Sequence, residues 1–107
     1  MKRFLFVCGR NRRRSPTAEQ IFSHEPHIEI ESAGLSPDAD NPVTPDLVEW
    51  AQIIFVMEQS QRRKLTQRFR PHLKGARIVC LDIPDRVDFM DAELVRILKA
   101  KVSPFLV

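Results

Sequence analysis

The stretch Phe4 to Glu19, FLFVCGRNRRRSPTAE, restricts this chain more than any other. Four consecutive apolar residues, Phe4-Leu5-Phe6-Val7, run directly into Cys8. A short run of that kind suits a strand buried on both faces, as in parallel sheets. Ser15-Pro16 then reads as a helix start, with Ser15 as N-cap, Pro16 at the first helical position and Glu19 soon after. The loop between strand and helix therefore ends at a helix N-terminus. Backbone N–H groups there lack partners and the dipole is positive, so the end attracts phosphate-like anions. A tight loop over it adds further inward N–H groups, an anion nest.

Cys8 stands at the mouth of that nest. The helix end and the neighbouring arginines favour its thiolate, which is the nucleophilic form. Arg14 carries a planar fork that holds two oxygens of a phosphoryl group at once. Ser15 can donate a hydrogen bond to the sulfur when it leaves. Together these parts make a phosphoryl-transfer site that needs no metal: the thiolate attacks phosphorus, and Arg14 with the loop amides of Gly9, Arg10, Asn11, Arg12 and Arg13 stabilises the equatorial oxygens. The plainer alternative is a structural cysteine before a basic turn. The Cys-x5-Arg-Ser spacing between a strand and a Ser-Pro helix start argues against it.

This loop, the strand before it and the helix after it resemble the low-molecular-weight protein tyrosine phosphatase family, and the whole chain is similar to that family's short bacterial branch. The likeness continues in Ser32-Ala33-Gly34, in Ile53-Ile54-Phe55-Val56-Met57-Glu58 and in Asp82-Ile83-Pro84-Asp85. The resemblance implies a phosphotyrosine phosphatase I-like fold with strand order 2-1-3-4. It implies catalysis through a phosphocysteine and a general acid on the loop after the fourth strand. The family's acid sits in an Asp-Ile-Pro-Asp-Pro type sequence, which puts it at Asp85, with Asp82 as the second candidate. Asp88 is also near, and Asp91 is better used as a helix cap. Arg86 replaces the proline that follows the acid, and Arg10 stands where longer members have glycine. Arg13 occupies the place where many members keep a second, protective cysteine, which leaves Cys8 open to oxidation. Phe89 and Trp50 are the only candidates for an aromatic wall. Arsenate reductases share the loop, but their relay needs further cysteines; Cys80, in Ile78-Val79-Cys80-Leu81, reads as a small buried hydrophobe. A non-catalytic module that binds phosphate or a phosphoprotein is the alternative from another class.

The rest of the chain fits a single domain over residues 1–107, of the α/β class: a small doubly wound four-stranded parallel sheet with helices on both faces. Expected strands are Lys2 to Val7, Ile28 to Ser32, Ile53 to Met57 and Ala76 to Leu81. Ile28 and Ile30 alternate with Glu29 and Glu31, which suggests an edge strand, whereas the wholly apolar third strand belongs at the centre. Expected helices are Pro16 to Ser23, one capped by Thr44 and opened by Pro45, Ser60 to Phe69, and one capped by Asp91 with Leu94, Val95, Leu98 and Val102 as its buried stripe. Pro104 should end or kink the last. In such sheets ligands sit beyond the carboxyl ends of the strands, so the loops bearing Cys8 and Asp85 should meet over one crevice.

Charge is uneven. The net value is +3 and the pI about 9.2. Arg10, Arg12, Arg13 and Arg14 crowd the loop and fit attraction of an anionic substrate, a phosphorylated protein or a small phosphate ester, with phosphate or sulfate as stand-ins. Arg62, Arg63, Lys64, Arg68 and Arg70 read as a solvated helix face. Little aromatic interleaving accompanies either cluster, which argues against nucleic acid. No apolar run approaches membrane-spanning length and the N-terminal run is too short for a secretory signal, so cytoplasm is the default. His24, His27 and His72 lack partners at metal-ligand spacing. No metal or cofactor is expected.

Overall fold

The structure is a computed structural model and describes residues 2–10, 12–73, 75–84 and 88–106. Strand β1 (Lys2–Cys8) pairs in parallel with β2 (Ile28–Gly34) on one side and with β3 (Ile53–Val56) on the other; β4 (Arg77–Cys80) pairs with β3, giving the order β2-β1-β3-β4. The two apolar runs form the two central strands. The strand with alternating glutamates is an edge, because its exposed face tolerates charge.

Side chains of β1 point alternately to opposite faces, and both faces are packed. Phe4 and Phe6 join Phe55 and Met57 on one side, under α1 (Arg14–Phe22) and α4 (Ala92–Val102). Leu5 and Val7 join Ile54 and Val56 on the other, under α2 (Pro45–Trp50) and α3 (Gln59–Phe69). Phe4 to Val7 are all at 0% exposure. The phenylalanine side is held by rings: Phe6 stacks on Phe55 at 4.9 Å between centroids and on Phe22 at 6.0 Å, while Phe4 meets Phe55 edge-on at 5.2 Å. Burying one such ring stabilises the fold by about 1.5–3 kcal/mol.

Most expected boundaries hold to within a residue or two. Thr44 caps α2 through its hydroxyl, which accepts from the Leu47 N–H, and Pro45 opens the helix. Asp91 caps α4, whose buried residues are Leu94, Leu98 and Val102; Val95 is only half-buried. That helix ends before Pro104 and passes into a 3-10 turn, Ser103–Phe105. A second such turn, Arg70–His72, follows α3.

Two expectations fail. Ser15 is not an N-cap: α1 begins at Arg14, Arg13 occupies the cap position, and no side chain caps the helix. The Ser15 hydroxyl is turned instead to Cys8, as described below. Cys80 is half-buried rather than buried, because β4 is the far edge of the sheet.

Candidate active site

The parallel sheet puts the carboxyl end of β1 beside that of β2, with Cys8 level with Gly34. Beyond that level the chain leaving β2 runs alongside the chain leaving β1 and hydrogen-bonds to its backbone. The Leu35 N–H donates to the Cys8 carbonyl at 2.9 Å, Ser36 to Gly9 at 2.8 Å and Asp40 to Arg10 at 3.1 Å. Three successive carbonyls therefore face the 35–40 segment. Since the C=O and N–H of a trans peptide point opposite ways, the N–H groups of Gly9 and Arg10 turn away from that segment. Gly34 permits the close approach. A Cβ there would lie 2.6 Å from the Gly9 carbonyl oxygen and 3.0 Å from the Arg10 carbonyl carbon.

Cys8 is 3% exposed, and its Sγ lies 2.8 Å from the Ser15 hydroxyl, itself fully buried in the first turn of α1. Either group can donate in this contact when the sulfur is protonated, and only the hydroxyl can when it is ionised.

Arg14 is buried as well. Its Nη1 donates to Glu58 Oε2 at 2.7 Å and to the Ile83 carbonyl at 2.7 Å. Both supports are fixed from below. Glu58 is the N-cap of α3 in a capping box with Gln61, whose Oε1 accepts from the Met57 and Glu58 N–H groups at 2.8 and 3.1 Å. Ile83 follows Asp82, which takes a left-handed conformation at φ 53°, and its N–H donates to the Met57 carbonyl at 2.9 Å. Neither Glu58 nor Gln61 was singled out from the sequence for this role. The pattern Glu-x-x-Gln directly after an apolar strand is the signal that marks them.

A pocket of about 700 Å³ opens over these groups. It is lined by Cys8, by Gly9 and Arg10, by Arg12 to Arg14, by Leu35 to Pro37 and by the α3 face that carries Lys64 and Arg68. The basic cluster of residues 62–70 is thus not merely a solvated face, because two of its members look into the pocket. Three loop arginines meet carboxylates at its rim: Arg10 with Asp38 at 4.0 Å, Arg12 with Asp40 at 3.2 Å and Arg13 with Asp88 at 3.9 Å. The hydrogen bond from the Ser36 hydroxyl, together with the Arg10 charge, holds Asp38 below the usual carboxylate range.

Of the other site expectations, Asn11 and Asp85 lie outside the described residues. The described flanks of residues 85–87 nevertheless touch the loop and first turn of α1: Ile83 at Arg14, Asp88 at Arg13, and the Met90 N–H on Thr17 Oγ1 at 2.9 Å. Asp82 is exposed, its Oδ1 accepts from the Cys80 thiol at 3.3 Å, and it does not line the pocket. The expected aromatic wall is not built by the residues named for it. Trp50 packs into the core under α2, and Phe89 is 50% exposed; neither lines the pocket. Burial raises the Cys80 thiol above the ordinary cysteine value. Cys80 is separated from β1 by β3, so its Cα is about 10 Å from that of Cys8, beyond direct disulfide reach. Among the described residues, no three His, Cys, Asp or Glu side chains are grouped to hold a metal ion, and no helix is long and apolar enough to cross a membrane.

A family model described as low molecular weight phosphotyrosine protein phosphatase matches residues 3–70. No curated protein matches the chain. Among solved structures, a low molecular weight protein tyrosine phosphatase from Streptococcus pyogenes superposes with a TM-score of 0.81 at 19% identity, over 99% of this chain and 91% of that one. The tyrosine phosphatase Wzb from Escherichia coli K30, in complex with phosphate, gives 0.79 at 19% identity over 98% and 96%. The YwlE arginine phosphatase from Geobacillus stearothermophilus gives 0.70 at 19% identity over 99% and 88%. At such identities the structural likeness establishes the shared fold.

Proposed function

From the premise that this chain belongs to the low molecular weight phosphotyrosine protein phosphatase family and is a cysteine-dependent phosphatase, we propose that it hydrolyses phosphate monoesters through a phosphocysteine on Cys8. The observation that carries the assignment is the Cys8–Ser15 contact of 2.8 Å at the floor of an arginine-lined pocket.

In the first step Cys8 Sγ attacks phosphorus, the S–P bond forms and the ester P–O bond breaks. Arg14 and the N–H groups of the loop from Gly9 to Arg13 take the charge on the equatorial oxygens. The burial of Arg14 between Glu58 and the Ile83 carbonyl supports this role, since its fork is oriented before substrate arrives. Asp85 protonates the leaving oxygen. In the second step it accepts a proton from the water that attacks phosphorus, and the S–P bond breaks. The contacts of Ile83, Asp88 and Met90 with Arg14, Arg13 and Thr17 support Asp85 as the acid, because they hold both flanks of its loop against the segment that follows Cys8. Ser15 stabilises the thiolate as it leaves.

The chain works as one domain over residues 1–107. Cys8 and Cys80 are not joined in a disulfide, which suits a reducing compartment, so we put its action in the cytoplasm. The substrate is a phosphorylated protein or a small phosphate ester. Inorganic phosphate, bound in the Wzb structure, should compete for the loop.

The test is p-nitrophenyl phosphate hydrolysis in the presence of a chelator, across about pH 5 to 8, for wild type, Cys8→Ser and Asp85→Asn. Turnover that Cys8→Ser abolishes, and that Asp85→Asn reduces most for poor leaving groups, is the expected result. Folded wild type that binds phosphate or vanadate but releases no product would leave a phosphate-binding module. Phosphotyrosine and phosphoarginine peptides, run side by side, then sort the substrate between the activities named for the structural neighbours.

A further inference from the structure

The pocket has two unlike walls. On the loop side, Arg10, Arg12 and Arg13 each face a carboxylate at 4.0, 3.2 and 3.9 Å, and Arg14 faces Glu58 at 2.7 Å. On the α3 side, Lys64 and Arg68 lie one helical turn apart and both line the cavity. Among the described residues, neither has a carboxylate within ion-pair distance. The Arg68 Nη1 donates to the Leu35 carbonyl at 2.6 Å, which fixes its head beside the loop after β2. An arginine has five N–H donors in all, so most of this fork stays available. Exposed Ser60 and Gln67 supply neutral polar groups on the same wall. Among the described lining residues, Leu35 and Pro37 are the only wholly apolar side chains, and none is aromatic. An apolar or aromatic leaving group therefore finds little to pack on, whereas an anion finds two uncompensated cations.

We propose that Lys64 and Arg68 form a second anion subsite, so that the favoured substrate is a phosphomonoester carrying another negative group beside the scissile phosphate. This rests on the phosphatase reading of the Cys8 pocket and specifies its substrate class. The second anion comes either from an acidic side chain flanking a phosphorylated residue or from a second phosphate on a small molecule. The recognising chemistry is the same for both.

The test compares kcat/KM within matched sets on the full chain, at about 20 mM and about 200 mM salt, since screening between exposed charges grows over that range. One arm uses phosphotyrosine peptides with aspartate, alanine or lysine flanks. The other uses phenyl phosphate, carboxyphenyl phosphate and a phenyl bisphosphate. The readout is the ratio of anionic to neutral substrate within each arm. A screened, exposed charge pair supports a ratio of up to roughly fivefold per cation. The ratio should fall by up to about that factor in Lys64→Ala, fall further toward unity in Lys64→Glu, where the new carboxylate offsets Arg68, and shrink at high salt. A preference in the peptide arm alone identifies a flanked phosphoprotein; one in the small-molecule arm alone identifies a bisphosphate. Turnover with ratios near unity in both arms, or ratios that Lys64→Glu leaves unchanged, overturns the subsite while leaving the phosphatase reading intact. Absence of all turnover overturns the phosphatase reading instead. In that event calorimetry with benzylphosphonate and carboxybenzylphosphonate on wild type and Lys64→Glu decides the subsite alone: a preference of wild type for the doubly anionic ligand that Lys64→Glu abolishes supports it, and equal wild-type affinities refute it.

Discussion

Replacing Gly34 by alanine tests whether the phosphate loop is shaped by the strand beside it. The new Cβ would sit 2.6 Å from the Gly9 carbonyl oxygen, 2.6 Å from the Ala39 Cβ and 3.0 Å from the Arg10 carbonyl carbon. Ordinary carbon contacts lie at about 3.5–4.0 Å, so the deficit approaches 1 Å. Two of the three atoms are backbone of the loop that follows Cys8, and that backbone is tied back to the 35–40 segment by three hydrogen bonds. Relief therefore has to come from moving the loop itself. Overpacking of this kind costs about 1–3 kcal/mol. At about 4–8 °C per kcal/mol in a chain of this size, the expected loss in Tm is roughly 8–16 °C for a cost of about 2 kcal/mol. A displacement of about 1 Å at a catalytic site lowers the rate by roughly 100-fold. The assay is thermal denaturation with and without inorganic phosphate, alongside p-nitrophenyl phosphate turnover. Gly34→Ala should melt early, gain less from phosphate than wild type does, and lose most of its kcat/KM. A Tm within about 2 °C of wild type together with undiminished turnover would show that the loop is not held by this contact.

Other substitutions separate the roles of the buried groups. Ser15→Ala removes a hydrogen bond to an ionised sulfur, worth about 1.5–3 kcal/mol, so turnover should fall roughly 10- to 100-fold, with a burst of p-nitrophenol before a slow steady state because breakdown of the phosphocysteine is slowed; unchanged steady-state turnover would remove Ser15 from the mechanism. Arg14→Lys keeps the charge but loses the fork, and kcat/KM should drop by about 100-fold without a matching loss of stability. Glu58→Ala removes one carboxylate from the Arg14 guanidinium; since Glu58 is 43% exposed, the cost should be about 1 kcal/mol, read as a Tm lower by roughly 4–8 °C. Burial raises the Cys80 thiol, so at neutral pH it stays protonated while iodoacetamide reacts at Cys8; mass spectrometry showing Cys80 modified first would contradict this.

Sequence reasoning reached the strand, loop and helix around Cys8 because each rests on local chemistry. An apolar run makes a central strand, Pro45 opens a helix that Thr44 caps, and Asp91 caps another. It gave the Ser15 hydroxyl two tasks, helix cap and partner of the Cys8 sulfur; the cap fails and the sulfur contact, at 2.8 Å, is the one the fold makes. It placed Trp50 as a possible pocket wall because aromatic residues are equally at home in a core. It read Lys64 and Arg68 as solvated, since the charge pattern of a helix does not say which polar face looks into a cavity.

What the sequence by itself determined was the proposed reacting set: Cys8, Arg14 and Ser15 at spacings that one strand–loop–helix turn can bring together. That information is local, because the spacing spans a single turn of structure. What only the tertiary structure decided was everything contributed across the sheet. Parallel pairing of β1 with β2 and β3 puts Gly34 against the Gly9 carbonyl, and the elements following β3 carry Glu58 and Ile83 to Arg14 and a basic wall to face the loop. These contacts join residues far apart in the chain, and their geometry follows from strand order and register, which hydrophobic patterning constrains only in part.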